Sequence, residues 1–271
     1  MRNLSIVLPC YNEESAVGPV LQRLHGLLAD WRQAGLHLHL HEVIIVNDGS
    51  TDGTVDAVNE WIEGWRAIRG RNVHLQSQSQ NQADVAVSII SHDSRRGYGA
   101  ALKTGVAATT GNYIAFYDVD GTYDPALLPV MVSVLERRRV QMVCGDRLSL
   151  CEHMPLTREI GNRLFVGTIN LLYQARVYDS CTGMRVFSRD MRDFFASDAL
   201  PDGLDYSLAM TLSFLKSGRQ LIEVPIPYAR RIGRSKLRVL TDGPRFFWRI
   251  LSSWAWGRVP SSKEAIVLKE D

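Results

Sequence analysis

Short runs of β-branched and aliphatic residues recur along the chain, and each is followed by a longer stretch of helical periodicity. Strands are expected over 4–9, 42–47, 85–91, 113–117, 141–144 and 221–225. Helices are expected over 14–34, 53–68, 98–109, 125–138, 156–175, 189–197 and 203–217. The strand runs are apolar throughout rather than alternating. Such strands are buried on both faces, which calls for a mostly parallel α/β sheet flanked by helices. Ligands of such sheets bind beyond the carboxyl ends of the strands. The residues that carry chemistry are therefore sought directly after each strand.

A chain of 271 residues can bury a full core as one large domain, with or without a tail. Its net charge of +2 gives no global nucleic-acid signal. The positive charge is uneven, however. Between Arg230 and Arg258 eight basic residues face one acid, Asp242, which points to a phosphate-rich partner, a membrane surface or a solvated helix face. Cys10, Cys144, Cys151 and Cys181 match no zinc spacing, and Cys10 and Cys144 lie in or beside apolar runs as small hydrophobes. A reducing, cytoplasmic compartment fits this usage. The N-terminal apolar run is too short for a signal peptide, and no stretch of about 18 to 20 apolar residues is present to span a bilayer. The polar segment at 76–85, QSQSQNQADV, reads as a surface loop.

Three strand ends carry the informative residues. The first, IVLPCYNEE at 6–14, sets Pro9, Tyr11, Asn12 and Glu13 at the mouth of a helix. They suit a base or ribose, although a plain helix cap by Asn12 explains the same pattern. The second, EVIIVNDGSTDGT at 42–54, releases Asp48 from an apolar strand into a turn. Asx-turn chemistry accounts for Asp52 and Gly53 but does not need Asp48. The third runs from Ser94 to Pro125. It contains Gly97-Tyr98-Gly99, which lets backbone approach a ligand closely, but lacks the phosphate-loop pattern. Its strand ends in Asp118-Val119-Asp120 before Gly121. Carboxylates at i and i+2 of a broken strand end converge on one divalent ion, Mg2+ or Mn2+, which favours oxygen ligands and bridges phosphates.

In this order and spacing, IVLPCYNEE, VIIVNDGSTDGT, GYGAALKTG and YDVDGTYDP resemble family 2 glycosyltransferases, in particular the polyprenol- and dolichol-phosphate sugar synthases. The likeness continues through DSCTGMR at 179–185 and VPIPYARRIGRSKL at 224–237. It implies a GT-A fold over 1–238 with an amphipathic helix and polar tail over 239–271. It also implies that Pro9, Tyr11 and Glu13 line a nucleotide pocket, that Asp48 binds the base, and that Asp118 and Asp120 hold metal and diphosphate, Asp120 the more directly. Arg147 matches a basic position near the acceptor phosphate. Arg230 or Arg231, with Ser235 and Lys236, matches a loop that closes over the diphosphate, and Lys103 and Arg185 fall among the substrate-binding positions. The family often has Thr/Ser-Ser-Gly-Phe-Arg where this chain has Cys181-Thr182-Gly183-Met184-Arg185, so this pocket wall differs.

The implied reaction is inverting transfer of a hexose from a GDP- or UDP-sugar to a polyprenyl phosphate, at the cytoplasmic face of a membrane. A phosphate acceptor is already anionic and needs no strong base. A hydroxyl acceptor would need one, and Asp205 in PDGLDYSLAM is the candidate by position, or else a first-turn helix acid. The alternatives are a family 2 enzyme with a hydroxyl acceptor, a nucleotidyltransferase, and an inert sugar-nucleotide-binding module. In the tail, a helix is expected from Pro244 with Asp242 near its cap. Phe247, Ile250, Leu251 and Trp254 form one face, opposite Arg245, Arg249, Ser252 and Ser253. That face suits a bilayer interface, the protein's own core, a second subunit or a membrane-protein partner.

Overall fold

The apolar runs form strands, as their burial on both faces requires. The computed structural model describes residues 2–33, 38–73, 85–150, 153–256 and 268–269. Among them β1 (Arg2–Cys10), β2 (Leu38–Asn47), β3 (Ala86–Ser91), β4 (Tyr113–Phe116), β5 (Met142–Asp146), β6 (Arg185–Ser188), β7 (Leu221–Pro225) and β8 (Leu268–Lys269) make one sheet in the order β3-β2-β1-β4-β6-β5-β7-β8. Every neighbouring pair is parallel except those made by β6, which runs antiparallel to β4 and β5. The helices are α1 (Glu14–Gln33), α2 (Thr54–Val73), α3 (Tyr98–Ala107), α4 (Leu128–Arg138), α5 (Leu156–Tyr173), α6 (Arg192–Phe195), α7 (Tyr206–Lys216) and α8 (Val239–Ala255). The loop expected at 76–85 lies outside the described residues except for Val85, as does Cys151.

The two faces of the sheet bury separate clusters. Leu4, Ile6 and Leu8 of β1 pack with α1, α2 and α4, whereas Val7 packs with α3, α5, α7 and α8 on the other face. Cys10 and Cys144 are buried among these side chains, and burial pushes the Cys144 thiol up to about 12, so both serve as small apolar groups. β1 and β4 are neighbours, yet the chain leaves them toward opposite edges of the sheet. That divergence opens a crevice at their carboxyl ends.

Neither β6 nor β8 was expected from the sequence pattern. β6 has only four residues and begins with Arg185, a charge that reads as a break in an apolar run. The side chain of Arg185 is fully buried and donates to the carbonyls of Ser180 (3.3 Å), Thr182 (3.4 Å) and Ser207 (2.8 Å) and to the Thr211 hydroxyl (2.9 Å). Arg185 therefore ties β6 to the start of α7, and it is not among the residues that line the cavity described below, although it was expected at a substrate-binding position. β8 places Leu268 and Lys269 beside β7, within what was expected to be a polar tail.

α8 begins at Val239, not at Pro244, and Pro244 lies inside it. Asp242 still caps the start, accepting from the backbone N–H of Arg238 (2.7 Å). The face turned inward is not the Phe247, Ile250, Leu251 and Trp254 stripe as a whole. Phe246 and Ile250 are buried, while Trp248 and Trp254 face outward. The cause is Asp205, fully buried at the start of α7, whose carboxylate pairs with Arg249 and, at 3.2 Å, with Arg245. Lys216 adds a bond to the Ser253 carbonyl (3.0 Å). Asp205 is thus the anchor for α8.

We expect Asp205→Ala to lower stability by about 1–3 kcal/mol through loss of charged hydrogen bonds. Hydrogen exchange should quicken across 239–255. Unchanged melting and unchanged exchange there would show that the two arginines do not dock the helix.

Candidate functional site at the carboxyl ends of the central strands

The ends of β1 and β2 are laced together. Asn12, held at a left-handed φ of 51°, receives the Thr51 N–H on its side-chain oxygen (2.8 Å) and donates its own N–H to the Ser50 hydroxyl (3.0 Å). Its amide thus bridges two loops and does not cap α1. Asp48 is buried, and both its oxygens are engaged: one by the Arg96 N–H (2.8 Å) and His92 Nδ1 (2.8 Å), the other by the Gly97 N–H (2.8 Å). Gly97 has φ 118°, and a Cβ there would lie 2.3 Å from the Asp202 carbonyl. These contacts fix the 94–97 loop, which sets the Arg95 guanidinium 4.5 Å over the Tyr11 ring. Tyr11, Arg95 and Asp48 together offer a flat cation–ring surface beside a carboxylate, suited to a base.

Asp118 and Asp120 follow β4. The Asp118 carboxylate accepts from the Tyr98 hydroxyl (2.7 Å) and sits over Gly183, where a Cβ would lie 2.3 Å from it. Burial, and then the charge of Asp120, push the Asp118 carboxyl up to about 7. One Asp120 oxygen accepts from the Thr122 N–H (3.0 Å) and hydroxyl (2.5 Å). Two hard oxygen donors in mutual repulsion fit a divalent cation of the Mg2+ type, which needs only one or two carboxylates when phosphate oxygens complete its shell. Among the described residues no cluster of three or more such ligands exists, so the protein alone offers an incomplete shell.

The segment after β7 crosses this turn. Ala229 N–H bonds the Thr122 carbonyl (3.1 Å), Ile232 N–H bonds the Asp120 carbonyl (2.8 Å), and Ile232 packs on Gly121. Arg231 reaches the other Asp120 oxygen (2.5 Å) and Glu13 (2.8 Å), and Lys236 reaches Glu13 (3.0 Å) and the Asn12 carbonyl (2.7 Å). Burial raises the Glu13 carboxyl, and Lys236 and Arg231 pull it partly back. Arg147, after β5, is gripped at both ends of its guanidinium by the buried Asp179 (2.6 and 2.9 Å), touches the Tyr123 hydroxyl (3.2 Å) and lies over the Tyr228 ring (5.6 Å). Burial opposes ionisation of Asp179, but the charge of Arg147 outweighs it and holds the carboxyl below its ordinary range.

One cavity of about 620 Å³ is lined by Pro9, Tyr11, Glu13, Asp48, Asp118, Asp120, Arg147, Arg231, Ser235 and Lys236. Besides Arg185, three expected residues stand elsewhere. Lys103 pairs with Asp202 (2.7 Å) and bonds the Leu200 carbonyl (3.1 Å), pinning the loop that precedes α7. Arg230 is exposed, while Arg231 turns inward onto Asp120. Asp205 docks α8. Sequence reasoning missed Tyr98, Arg95, His92, Tyr123, Asp179 and Tyr228. Asp179 and Tyr228 lay within recognised motifs, but nothing linear shows that they grip Arg147 from two sides.

Because a Cβ at Gly183 meets only the end of the Asp118 side chain, Gly183→Ala should fold and push Asp118 aside. We expect Mn2+ affinity, read by electron paramagnetic resonance, to fall roughly 10- to 100-fold, as for other changes that misorient a metal ligand. Unchanged affinity would remove Asp118 from the metal site.

The sequence pattern described as Glycosyl transferase family 2 matches residues 5–194. The chain is 29% identical over 250 residues to a low-salt glycan biosynthesis hexosyltransferase of Haloferax volcanii, covering 91% of this chain and 51% of that protein. It is 28% identical over 242 residues to a dolichyl-phosphate hexose transferase of the same organism, covering 89% of each. The chain therefore spans about half the length of the first relative and most of the second. Its fold matches that of glucosyl-3-phosphoglycerate synthase from Mycobacterium tuberculosis in complex with Mg2+ and uridine diphosphate, with TM-score 0.63 and 20% identity over 94% of this chain and 80% of the other. With the sheet order, the strand-end carboxylates and this match in agreement, the chain belongs to glycosyl transferase family 2.

Proposed function

We propose that this protein transfers a hexose from a nucleoside-diphosphate sugar to a polyprenyl phosphate at a membrane surface, in a single inverting displacement. The observation that carries this reading is that one cavity is lined by both charged and apolar side chains. Asp118, Asp120, Arg147, Arg231 and Lys236 line it together with Met154, Leu164, Phe165 and Phe247. A donor diphosphate suits the first set and a lipid tail the second. The dolichyl-phosphate relative acts on a lipid of this class, which supports the reading.

Asp118 and Asp120 would hold Mg2+ or Mn2+, which when bound neutralises charge on the leaving diphosphate. Tyr11 and Arg95 would flank the base. In this reading Arg231 and Lys236 would meet the diphosphate, and Arg147, oriented by Asp179 and Tyr228, would meet the acceptor phosphate. A hydroxyl acceptor fits less well. Asp205, the base it would need, is fully buried and paired with two arginines. An anionic phosphate requires no such base.

No helix among the described residues is long and apolar enough to cross a membrane. The acceptor is instead met at the surface. Leu156, Ile160, Leu164 and Leu171 of α5 are exposed at helical spacing, and Trp248 of α8, next to the cavity-lining Phe247, is exposed as well.

The test is transfer from a panel of nucleotide sugars with Mn2+, analysed by mass spectrometry. Its acceptors are a long-chain polyprenyl phosphate in anionic vesicles and a water-soluble short-chain prenyl phosphate. Wild type should glycosylate both, and Asp120→Ala neither. Ile160→Glu with Trp248→Glu should keep the short acceptor and lose most activity on the long one. Wild type that ignores both phosphates and glycosylates a hydroxyl would overturn the assignment.

A further inference from the structure

Glu13, Arg231 and Asp120 form a chain of charges in which the guanidinium spans two carboxylates from different strand ends. Its two terminal nitrogens are used, one on Asp120 (2.5 Å) and one on Glu13 (2.8 Å). Its Nε is buried and has no hydrogen-bond partner. Both Asp120 oxygens are occupied as well, one by Thr122 and one by Arg231. A divalent ion seeking Asp120 therefore meets a like charge already on the oxygen that Thr122 leaves open. The unpartnered Nε points to a further acceptor that the protein does not supply. Buried donors are rarely left so, and a phosphate oxygen is the natural complement of a guanidinium edge.

We propose that Arg231 is a tethered cation that makes metal and donor binding interdependent. It occupies Asp120 against a lone divalent ion, and it yields the carboxylate when a diphosphate takes up its guanidinium. The segment that carries it is built for such an exchange. It is stitched to the Asp118–Thr122 turn by two backbone bonds, from Ala229 and Ile232, so the backbone can stay while the side chain moves from carboxylate to phosphate. Lys236 on Glu13 leaves a cation behind when Arg231 departs, so Glu13 is not stranded as a buried lone charge. The inference rests on the proposed metal and diphosphate site and adds an order to it: the ion and the nucleotide bind together or weakly. Linkage requires the effect to be reciprocal, each ligand tightening the other by one factor.

The experiment measures Mn2+ affinity by electron paramagnetic resonance, alone and with uridine diphosphate or guanosine diphosphate in turn. It compares wild type, Arg231→Gln and Arg231→Lys, with thermal melting as the check on folding. For wild type, Mn2+ alone should bind weakly and the nucleotide should tighten it by a factor in the roughly 5–150-fold range of coupled sites. Arg231→Gln should bind Mn2+ alone at least about fivefold tighter than wild type and lose most of the nucleotide effect. Arg231→Lys, which keeps the charge, should stay near wild type. A purely structural role for Arg231 would lower melting without tightening Mn2+. Equal Mn2+ affinity for wild type and Arg231→Gln, each with a measurable site, would overturn the coupling while leaving the metal site standing. No Mn2+ uptake by any variant with either nucleotide would overturn the metal site and the coupling with it.

Discussion

Two carboxylates, two residues apart at the end of a central strand, repel each other, and the cavity is arranged around that repulsion. Asp118 is driven toward its neutral form by burial and by Asp120. The surroundings answer with donors and cations: the Tyr98 hydroxyl on Asp118, Thr122 and Arg231 on Asp120, and Lys236 behind Glu13. The segment after β7 lies across this turn with Arg231 shared between Asp120 and Glu13, so the carboxylates beneath it hold the cation in place. Gly121 and Gly183 complete the arrangement by leaving no side chain in the way of Ile232 and Asp118. Sheet order delivers the carboxylates to the crevice, and electrostatics determines what may cover them.

The other charges divide into those that face the cavity and those that hold the walls. Arg147 faces it, braced by Asp179. Arg185, Lys103 and Asp205 hold walls, in each case by joining α7 or the loop before it to a neighbouring element. This division bears on chemistry. A cavity rich in oriented cations, with its most plausible base spent on a structural pair, is better suited to an anionic acceptor than to a hydroxyl that must lose a proton.

Much of this was legible in the sequence because parallel strands are apolar throughout and their ligand residues follow at once. Asp48, Asp118 and Asp120 could be singled out by their place at strand ends, whereas Arg147, Tyr11 and Glu13 were assigned through the family resemblance. What was not legible depends on distant partners. Arg185 and Arg147 are both arginines near strand ends, and only the fold shows one caged by carbonyls and the other by a carboxylate and a ring. The orientation of α8 was not legible because the pattern of Phe247, Ile250, Leu251 and Trp254 weighs hydrophobicity alone. The buried Asp205 rotates Arg245 and Arg249 toward the body, and Phe246 goes with them. β6 escaped because a four-residue antiparallel strand opening on arginine has no linear signature.

The most direct test of the account is anomalous diffraction at the manganese edge from crystals grown with Mn2+ and a nucleoside diphosphate. One strong peak is expected within direct coordination distance of an Asp120 oxygen, bridged to the diphosphate, with the Arg231 guanidinium turned from Asp120 to a phosphate oxygen. A nucleotide-bound structure with Arg231 still on Asp120, and manganese elsewhere or not bound, would contradict it.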